Sequence, residues 1–393
     1  MTLKELIDFM RETLTVRRTA AEYWLAGAVK PRAAKSLERA KSFLEALPRE
    51  EDKVLLTLDG KEVPFSLEYE ISELEKDIVF LNGGEQELYG YLESLHSGFS
   101  SEVAEGVEFL KGTRFKNLFS DRDGTVNNYC ARYNTSVQSA YNAAFIAKYV
   151  KNRVENGVIL TSAPLEGIGI IDLSAMPEYS VIFGGSKGRE MADLKGERHR
   201  YPVEEDKQEK LDELNRNLQD LLDRNGYRKL RMIGSGLQFK FGQTTVARQD
   251  MNGSVDPKKS DDFLRDVENM VSELDPDHQV FRIEDTGKDI EILLTVEGGS
   301  RDFDKGDGIE FIDQTLGLGL LDGPNLICGD THSDVPMVRA SMARTENTRA
   351  VFVTKDEELK QEVRNVCESC LFLEEPDTLV TILNELGKKE LSE

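Results

Sequence analysis

Asn117–Asn128 reads NLFSDRDGTVNN. A short apolar approach ends on two aspartates one residue apart, Asp121 and Asp123, followed by Gly-Thr. Like charges this close are costly unless a cation sits between them or one carboxyl keeps its proton. The pair is therefore either a solvated turn after a strand or the working end of a metal-dependent site.

The surrounding pattern points to a sheet. From Phe115, apolar runs of strand length alternate with helical stretches: FKNLFS, a helix over Val137–Asn152, GVILT, then SVIFGG. After a long interruption, NLICGD, AVFVT, a charged helix over Lys355–Val366, CLFLE and a helix over Asp377–Leu386 resume the alternation. Strands this apolar belong in a sheet covered on both faces. The expected class is α/β, with a Rossmann-like, mostly parallel sheet as its core.

The interruption has a different texture. A charged helix over Glu205–Arg224 precedes LQFKFGQTTVARQ, a second helix covers Ser260–Leu274, and QVFRIED and DIEILLTV follow with Thr286-Gly287 between them. Helix, two strands, helix, two strands make an α+β cap with one sheet face left open. Before Phe115, Leu37, Ala40, Leu44 and Leu47 fall at helical spacing, KVLLTLDG and DIVFLNGG read as extended, and SSEVAEGVEFL reads as helix. The expected organisation is an N-terminal, largely helical extra domain over 1–113, open to a protein partner. A core over 114–192 and 300–393 follows, with the cap inserted as 193–299 to set substrate specificity.

Composition narrows the function. Asp and Glu number 73 against 50 Lys and Arg, a formal net charge of −23, which argues against a nucleic-acid binder because no excess of cations can displace phosphate counterions. No stretch approaches the ~20 apolar residues that span a bilayer. The opening MTLKELIDFMRETL reads as an amphipathic helix, without a signal-peptide core. Four cysteines in 393 residues make no disulfide framework, so the expected location is cytoplasmic. The lone CESC at Cys367–Cys370 lacks the further thiolates a metal or redox site needs.

Three strand ends carry polar residues suited to one site, since ligands of such sheets bind beyond the carboxyl ends of the strands. FKNLFS leads to Asp121 and Asp123, GVILT ends in Thr161-Ser162, and NLICGD ends in Asp330, with Asp334 soon after. Lys305 stands where the core resumes. Asp121 and Asp330 suit a hard cation such as Mg²⁺, which favours one or two carboxylates, water and a phosphate oxygen. Asp121 can then attack phosphorus, and Asp123 can protonate the leaving oxygen and later activate water. Thr161 offers a hydroxyl to the transferring group, and Lys305 a fixed positive charge. Ser162 is the alternative hydroxyl if the strand runs one residue longer.

The series DRDGT, strand-final Thr, Lys-Gly and GDxxxD resembles the haloacid dehalogenase superfamily of aspartate-nucleophile phosphatases over about Phe115 to Leu386. The resemblance implies that Asp121, the main-chain carbonyl of Asp123 and Asp330 meet the metal, and that Asp334 supports its water shell or Lys305. The cap layout and the strings IFGGSKGRE, LQFKFGQTTVARQD and DIEILLTVEGGSRDFDKGDGI are similar to those of trehalose-6-phosphate phosphatases and related sugar phosphatases. On that likeness Lys240, Arg248 and Glu291 are the cap-side candidates for the sugar. TSAP and GDTHSDVPM depart from the usual family strings, the latter toward sucrose-phosphate and mannosyl-phosphoglycerate phosphatases, and the cap strand has Gln238 where the likeness leads one to expect Glu.

The leading expectation is a Mg²⁺-dependent phosphoric monoester hydrolase acting on a sugar phosphate, foremost trehalose 6-phosphate. Alternatives are a phosphatase for sucrose phosphate or for mannosyl- or glucosyl-phosphoglycerate, a phosphomutase, and a non-catalytic binding subunit of a sugar-synthase assembly.

Overall fold

The protein is described by a computed structural model covering residues 1–28, 32–58, 60–224, 226–250, 253–295 and 302–388. Its N-terminal unit holds helices α1 (Leu3–Leu25), α2 (Ala33–Glu45), α3 (Glu68–Leu95) and α4 (Phe99–Leu110). Three short strands, β1 (Arg49–Glu50), β2 (Lys53–Leu58) and β3 (Lys61–Phe65), form a small antiparallel sheet among them. Thr2 opens α1 with a capping box: its hydroxyl accepts from Glu5 N, and the Glu5 carboxylate accepts from Thr2 N, which satisfies two orphan donors. Leu37, Ala40 and Leu44 face the interior of the bundle.

DIVFLNGG, expected as extended, lies within α3. A short apolar run reads alike in a strand and in a buried helix, and packing decides it. Phe80 meets Trp24 and Phe145 with ring centroids 5.5 and 5.4 Å away. The closing glycines mark a break instead of a strand end, because Gly84 leaves the helical conformation at φ 77°.

The core begins with β4 (Phe115–Asp121), α5 (Ala140–Arg153), β5 (Val154–Leu160), the short α6 (Ile170–Leu173) and β6 (Ile182–Gly185). β7 (Glu190–Ala192) and β8 (Arg198–Arg200) follow. The cap then runs α7 (Glu205–Asp223), β9 (Leu237–Lys240), β10 (Gln243–Ala247), α8 (Pro257–Leu274), β11 (Phe281–Asp285) and β12 (Asp289–Leu294). The chain returns through α9 (Lys305–Leu316), β13 (Asn325–Gly329), α10 (Val335–Arg344), β14 (Thr348–Val353), α11 (Glu357–Val366), β15 (Cys370–Leu373) and α12 (Pro376–Leu386).

The large sheet has the order β15-β14-β13-β4-β5-β6-β7-β8. It is parallel from β15 to β6, and β7 and β8 fold back antiparallel. The sheet therefore runs on to Arg200, past the expected start of the cap at 193. The reason is local: Asp193 accepts from the amides of Lys195 and Glu197 at 2.8 Å each and turns the chain into another core strand. The expected restart of the core at 300 lies outside the described residues.

Both faces of the sheet are covered, as the unbroken apolar strands require. Leu118, Ile159 and Cys328 pack under α5, α12 and Phe80 of the N-terminal unit. Their neighbours Phe119, Val158 and Ile327 point the other way, against Ile309 and Ile312 of α9, Val338 of α10 and Leu359 of α11. Among the described residues no helix is long and apolar enough to cross a membrane.

The cap sheet has the order β11-β12-β10-β9, antiparallel throughout. Val246, Ile290 and Ile292 lie against Leu214 and Leu218 of α7 and Phe263 and Val267 of α8. With a side-chain period of two, the alternate residues Gln238, Lys240, Thr245 and Glu291 share the opposite face. That face looks onto the core.

Candidate active site

β4 is the switch point of the sheet: the chain proceeds from it to β5 on one side and comes back through β13 on the other. A crevice opens at the carboxyl ends of such strands. Asp121 closes β4, Thr161 follows β5 and Asp330 follows β13. A cavity of about 290 Å³ lies between these residues and the open face of the cap.

Lys305 is the first residue of α9, whose start Asp304 caps by accepting from Asp307 N at 3.0 Å. Its ammonium donates to Asp121 Oδ1 and to Asp334 Oδ1, each at 2.5 Å. The other oxygen of Asp334 accepts from the amides of Asp330 and Thr331 at 3.0 Å each. Asp334 is thus committed to orienting Lys305 and the turn behind Asp330. Burial disfavours the charged lysine, but Asp121 and Asp334 hold its pKa well above the ordinary range.

The carboxyls are less well compensated. Burial pushes Asp121 up to about 7 against the pull of Lys305, and Asp334 adds to the rise. Burial likewise pushes Asp330 up to about 9, with Asp121 and Asp334 contributing. Asp334 is lowered despite its burial, chiefly by Lys305. Oxygens of Asp121, Asp330 and Asp334 lie within 4.8 Å of one another. Hard oxygen donors around unneutralised buried charge fit a divalent cation. Thr125 Oγ1 donates to Asp330 Oδ1 at 3.0 Å and fixes that carboxylate's orientation.

Asp123 borders the same cavity and is partly open to it, its side chain 21% exposed. Arg122 pairs with it and also donates to the hydroxyl and carbonyl of Ser136. Thr161 and Ser162 both line the cavity. The Thr161 hydroxyl oxygen accepts from Ala163 N at 3.1 Å, which leaves its proton to donate.

On the cap side Lys240 and Glu291 reach the cavity. Lys240 Nζ donates to Thr245 Oγ1 at 2.8 Å, and Glu291 accepts from Gln243 Nε2 at 2.9 Å. Arg248 does not reach it. Its guanidinium donates to Ser260 at 2.9 Å, Asp285 at 2.7 Å and Asp261 at 2.6 Å, so it ties the exit of β10 to α8 and β11.

Sequence reasoning singled out neither Tyr129 nor Asp289 and took Gln238 only as a departure from an expected Glu, yet all three are among the residues lining the cavity. Gln238 and Asp289 stand two positions before Lys240 and Glu291, so strand alternation carried their signal. Tyr129 follows the catalytic-type turn in irregular chain and had none. His332, inside GDTHSD, turns to the surface and meets Glu362 at 2.7 Å.

A family model described as trehalose-6-phosphate phosphatase, C-terminal, matches residues 118–379, and one described as the trehalose-6-phosphate phosphatase N-terminal helical bundle domain matches residues 2–98. A trehalose-phosphatase of Brugia malayi is 31% identical over 304 residues, covering 73% of this chain and 61% of the relative. An alpha,alpha-trehalose-phosphate synthase [UDP-forming] 1 of Caenorhabditis briggsae is 30% identical over 405 residues, covering 93% of this chain and 29% of the relative. The chain spans about a third of the length of the curated synthases it matches (29%, 34% and 32%). Among solved structures, a trehalose-6-phosphate phosphatase related protein aligns with a TM-score of 0.48 at 14% identity, covering 69% of this chain and 96% of the other.

Proposed function

The chain belongs to the trehalose-6-phosphate phosphatase family, and from that premise we propose that it is a Mg²⁺-dependent phosphatase hydrolysing trehalose 6-phosphate through an aspartyl-phosphate on Asp121. The observation that carries the proposal is the ring of Asp121, Lys305 and Asp330 on the floor of one cavity whose roof holds Lys240 and Glu291.

Asp121 and Asp330, with the main-chain carbonyl of Asp123, would hold the metal, and Asp334 would act behind them through Lys305. Bound there, Mg²⁺ supplies positive charge beside the phosphoryl oxygens and keeps Asp121 ionised. Asp121 attacks phosphorus and displaces the sugar oxygen, to which Asp123 delivers a proton. Water, deprotonated by Asp123, then cleaves the aspartyl-phosphate and releases inorganic phosphate. Lys305 and the Thr161 hydroxyl stabilise charge on the transferring group throughout. Ser162 stands ready beside Thr161 for a further phosphate oxygen. The cap, which follows Arg200, presents Lys240 and Glu291 to sugar hydroxyls, which need both donors and acceptors.

The test is phosphate release from a panel of sugar phosphates, with and without Mg²⁺, for the wild type beside Asp121→Asn. Release should favour trehalose 6-phosphate, require the metal and fall at least ~10³-fold in the variant. Release that persists in Asp121→Asn removes it as the nucleophile.

A further inference from the structure

We propose that the N-terminal helical unit is a working part of the active site: α1 and α3 hold the segment 127–141, and Tyr69 positions the turn that carries Asp123. The inference rests on the reading of Asp123 as proton donor and goes beyond it by naming what holds that donor.

The linkage runs through one hydroxyl. Tyr69 of α3 is 8% exposed. Its oxygen accepts from Asn127 Nδ2 at 3.0 Å and its proton goes to the carbonyl of Val137 at 3.1 Å. The backbone of Asn127 closes the turn, donating to Arg122 O at 2.9 Å and accepting from Gly124 N at 2.8 Å. Asp123 sits inside that turn. From its other side Arg122 grips both Asp123 and Ser136. The segment thus joins α3 on one side and the proton donor on the other.

The remaining contacts make the clamp continuous. Arg17 of α1 donates to the same Val137 carbonyl at 3.0 Å and pairs with Asp77 at 2.7 Å, both side chains fully buried. Asp77 accepts from the amides of Ala140 at 2.7 Å and Tyr141 at 3.2 Å. It caps α5, where Ser139 makes no capping bond of its own. Glu70 accepts from Arg132 at 2.7 Å and Thr135 at 2.6 Å, and Glu73 from Asn128 at 3.0 Å.

These are buried, charge-assisted bonds, the strong class, and removing one partner strands the other in a low dielectric. A detachable module would meet its neighbour through a wetter, more exchangeable surface. Here the first helix of the core takes its cap from the N-terminal unit. The held segment contributes Tyr129, Ala131, Tyr133 and Ser136 to the cavity wall.

The experiment compares the full chain with Tyr69→Phe, which deletes only the hydroxyl. Two substrates are used, trehalose 6-phosphate and p-nitrophenyl phosphate, and kcat/KM reports steps up to loss of the leaving group. A sugar alkoxide needs the donated proton, whereas p-nitrophenolate leaves without it. The expected result is a roughly 10-fold fall for the sugar phosphate and less than about twofold for the aryl phosphate, with faster amide hydrogen exchange at 127–141. Leu44→Ala, a core cavity at an aliphatic side chain of α2 that makes no hydrogen bond to the segment, serves as the control for general loosening. An equal fall on both substrates, unchanged exchange at 127–141, or the same selective pattern in Leu44→Ala overturns the proposal. If the wild type itself releases no phosphate from the sugar phosphate, the proposed function has failed. Hydrogen exchange alone then decides whether Tyr69 holds the segment.

Discussion

Gly124 and Asp330 stand so close that a Cβ on the glycine would meet Asp330 Oδ2 at 2.2 Å. The glycine also has φ 89°, in the region where a side chain is strained. Two constraints therefore coincide at one position: the turn between Asp121 and Asn127 needs the left-handed backbone, and Asp330 needs the space.

Gly124→Ala should therefore act on the metal site more than on the fold. Strain at positive φ costs about 1–2 kcal/mol, a modest loss for a chain of this size. The displaced Asp330 should raise the Mg²⁺ concentration for half-maximal activity ~10–100-fold, on the scale of losing a ligand's support. Titration of activity with Mg²⁺, beside a thermal melt, checks both parts. A melt lowered by many degrees with unchanged Mg²⁺ dependence would show that Gly124 serves the turn alone.

Arg248 offers a test in the opposite direction. It was expected to serve the sugar, yet each of its three guanidinium nitrogens donates within the cap, to Ser260, Asp285 and Asp261. Arg248→Met should loosen the cap by about 1–3 kcal/mol, the cost of breaking hydrogen bonds to charged groups. Once the variant is folded, KM for the sugar phosphate should stay within about twofold of wild type, because Arg248 does not line the cavity. A large rise in KM without loss of stability would restore the sugar-binding role.

The pH dependence of sugar binding should follow Lys240. Burial brings its pKa down to about 8, with Glu291 pulling the other way. The residue is a cation below that value and a neutral amine above it, so KM should climb as pH rises past about 8. Lys240→Met should show a high KM that no longer changes there. Folding stability moves oppositely: the folded value lies below the ordinary 10.5, so the unfolded chain binds the proton more tightly. This lysine's contribution to stability therefore increases with pH across that window. A wild-type KM that stays flat through pH 8, or a limb that persists in the variant, removes the assignment.

The core and its motif residues were legible because they rest on short-range periodicity. Leu118 and Phe119 alternate across the sheet, and Asp121, Thr161 and Asp330 each follow an apolar strand directly. What was not legible depends on packing between distant segments. DIVFLNGG has the composition of a strand and becomes helix because Phe80 is needed against Trp24 and Phe145. Tyr69 meets Asn127 across 58 residues, and no local pattern announces that pair. Arg248 followed a family string, but three acidic or hydroxyl partners brought in by α8 and β11 claim it first.

The same long-range logic governs the last position, Asp377 at the start of α12. It is buried, and accepts from Lys76 of α3 at 3.1 Å, from Asn128 at 2.8 Å and from Tyr141, with His96 at 2.8 Å. Burial alone would raise its pKa, but Lys76, His96, Tyr141 and Asn128 bring it well below the carboxylate range. A depressed folded pKa stabilises the protein above the unfolded value, ~3.9, and that contribution fades as pH falls toward the folded one. Asp377→Asn keeps the shape and removes the charge, so that among the described residues Lys76 retains Glu73 alone as an anionic partner. The loss at pH 7 should be about 3–5 kcal/mol, the cost of breaking a buried ion pair from one side. The gap from wild type should shrink progressively below about pH 4, since the asparagine does not titrate. Urea unfolding at several pH values measures both. A gap below ~1 kcal/mol at pH 7, or one that stays constant into acid, would mean that Asp377 holds α12 to α3 by shape and not by charge.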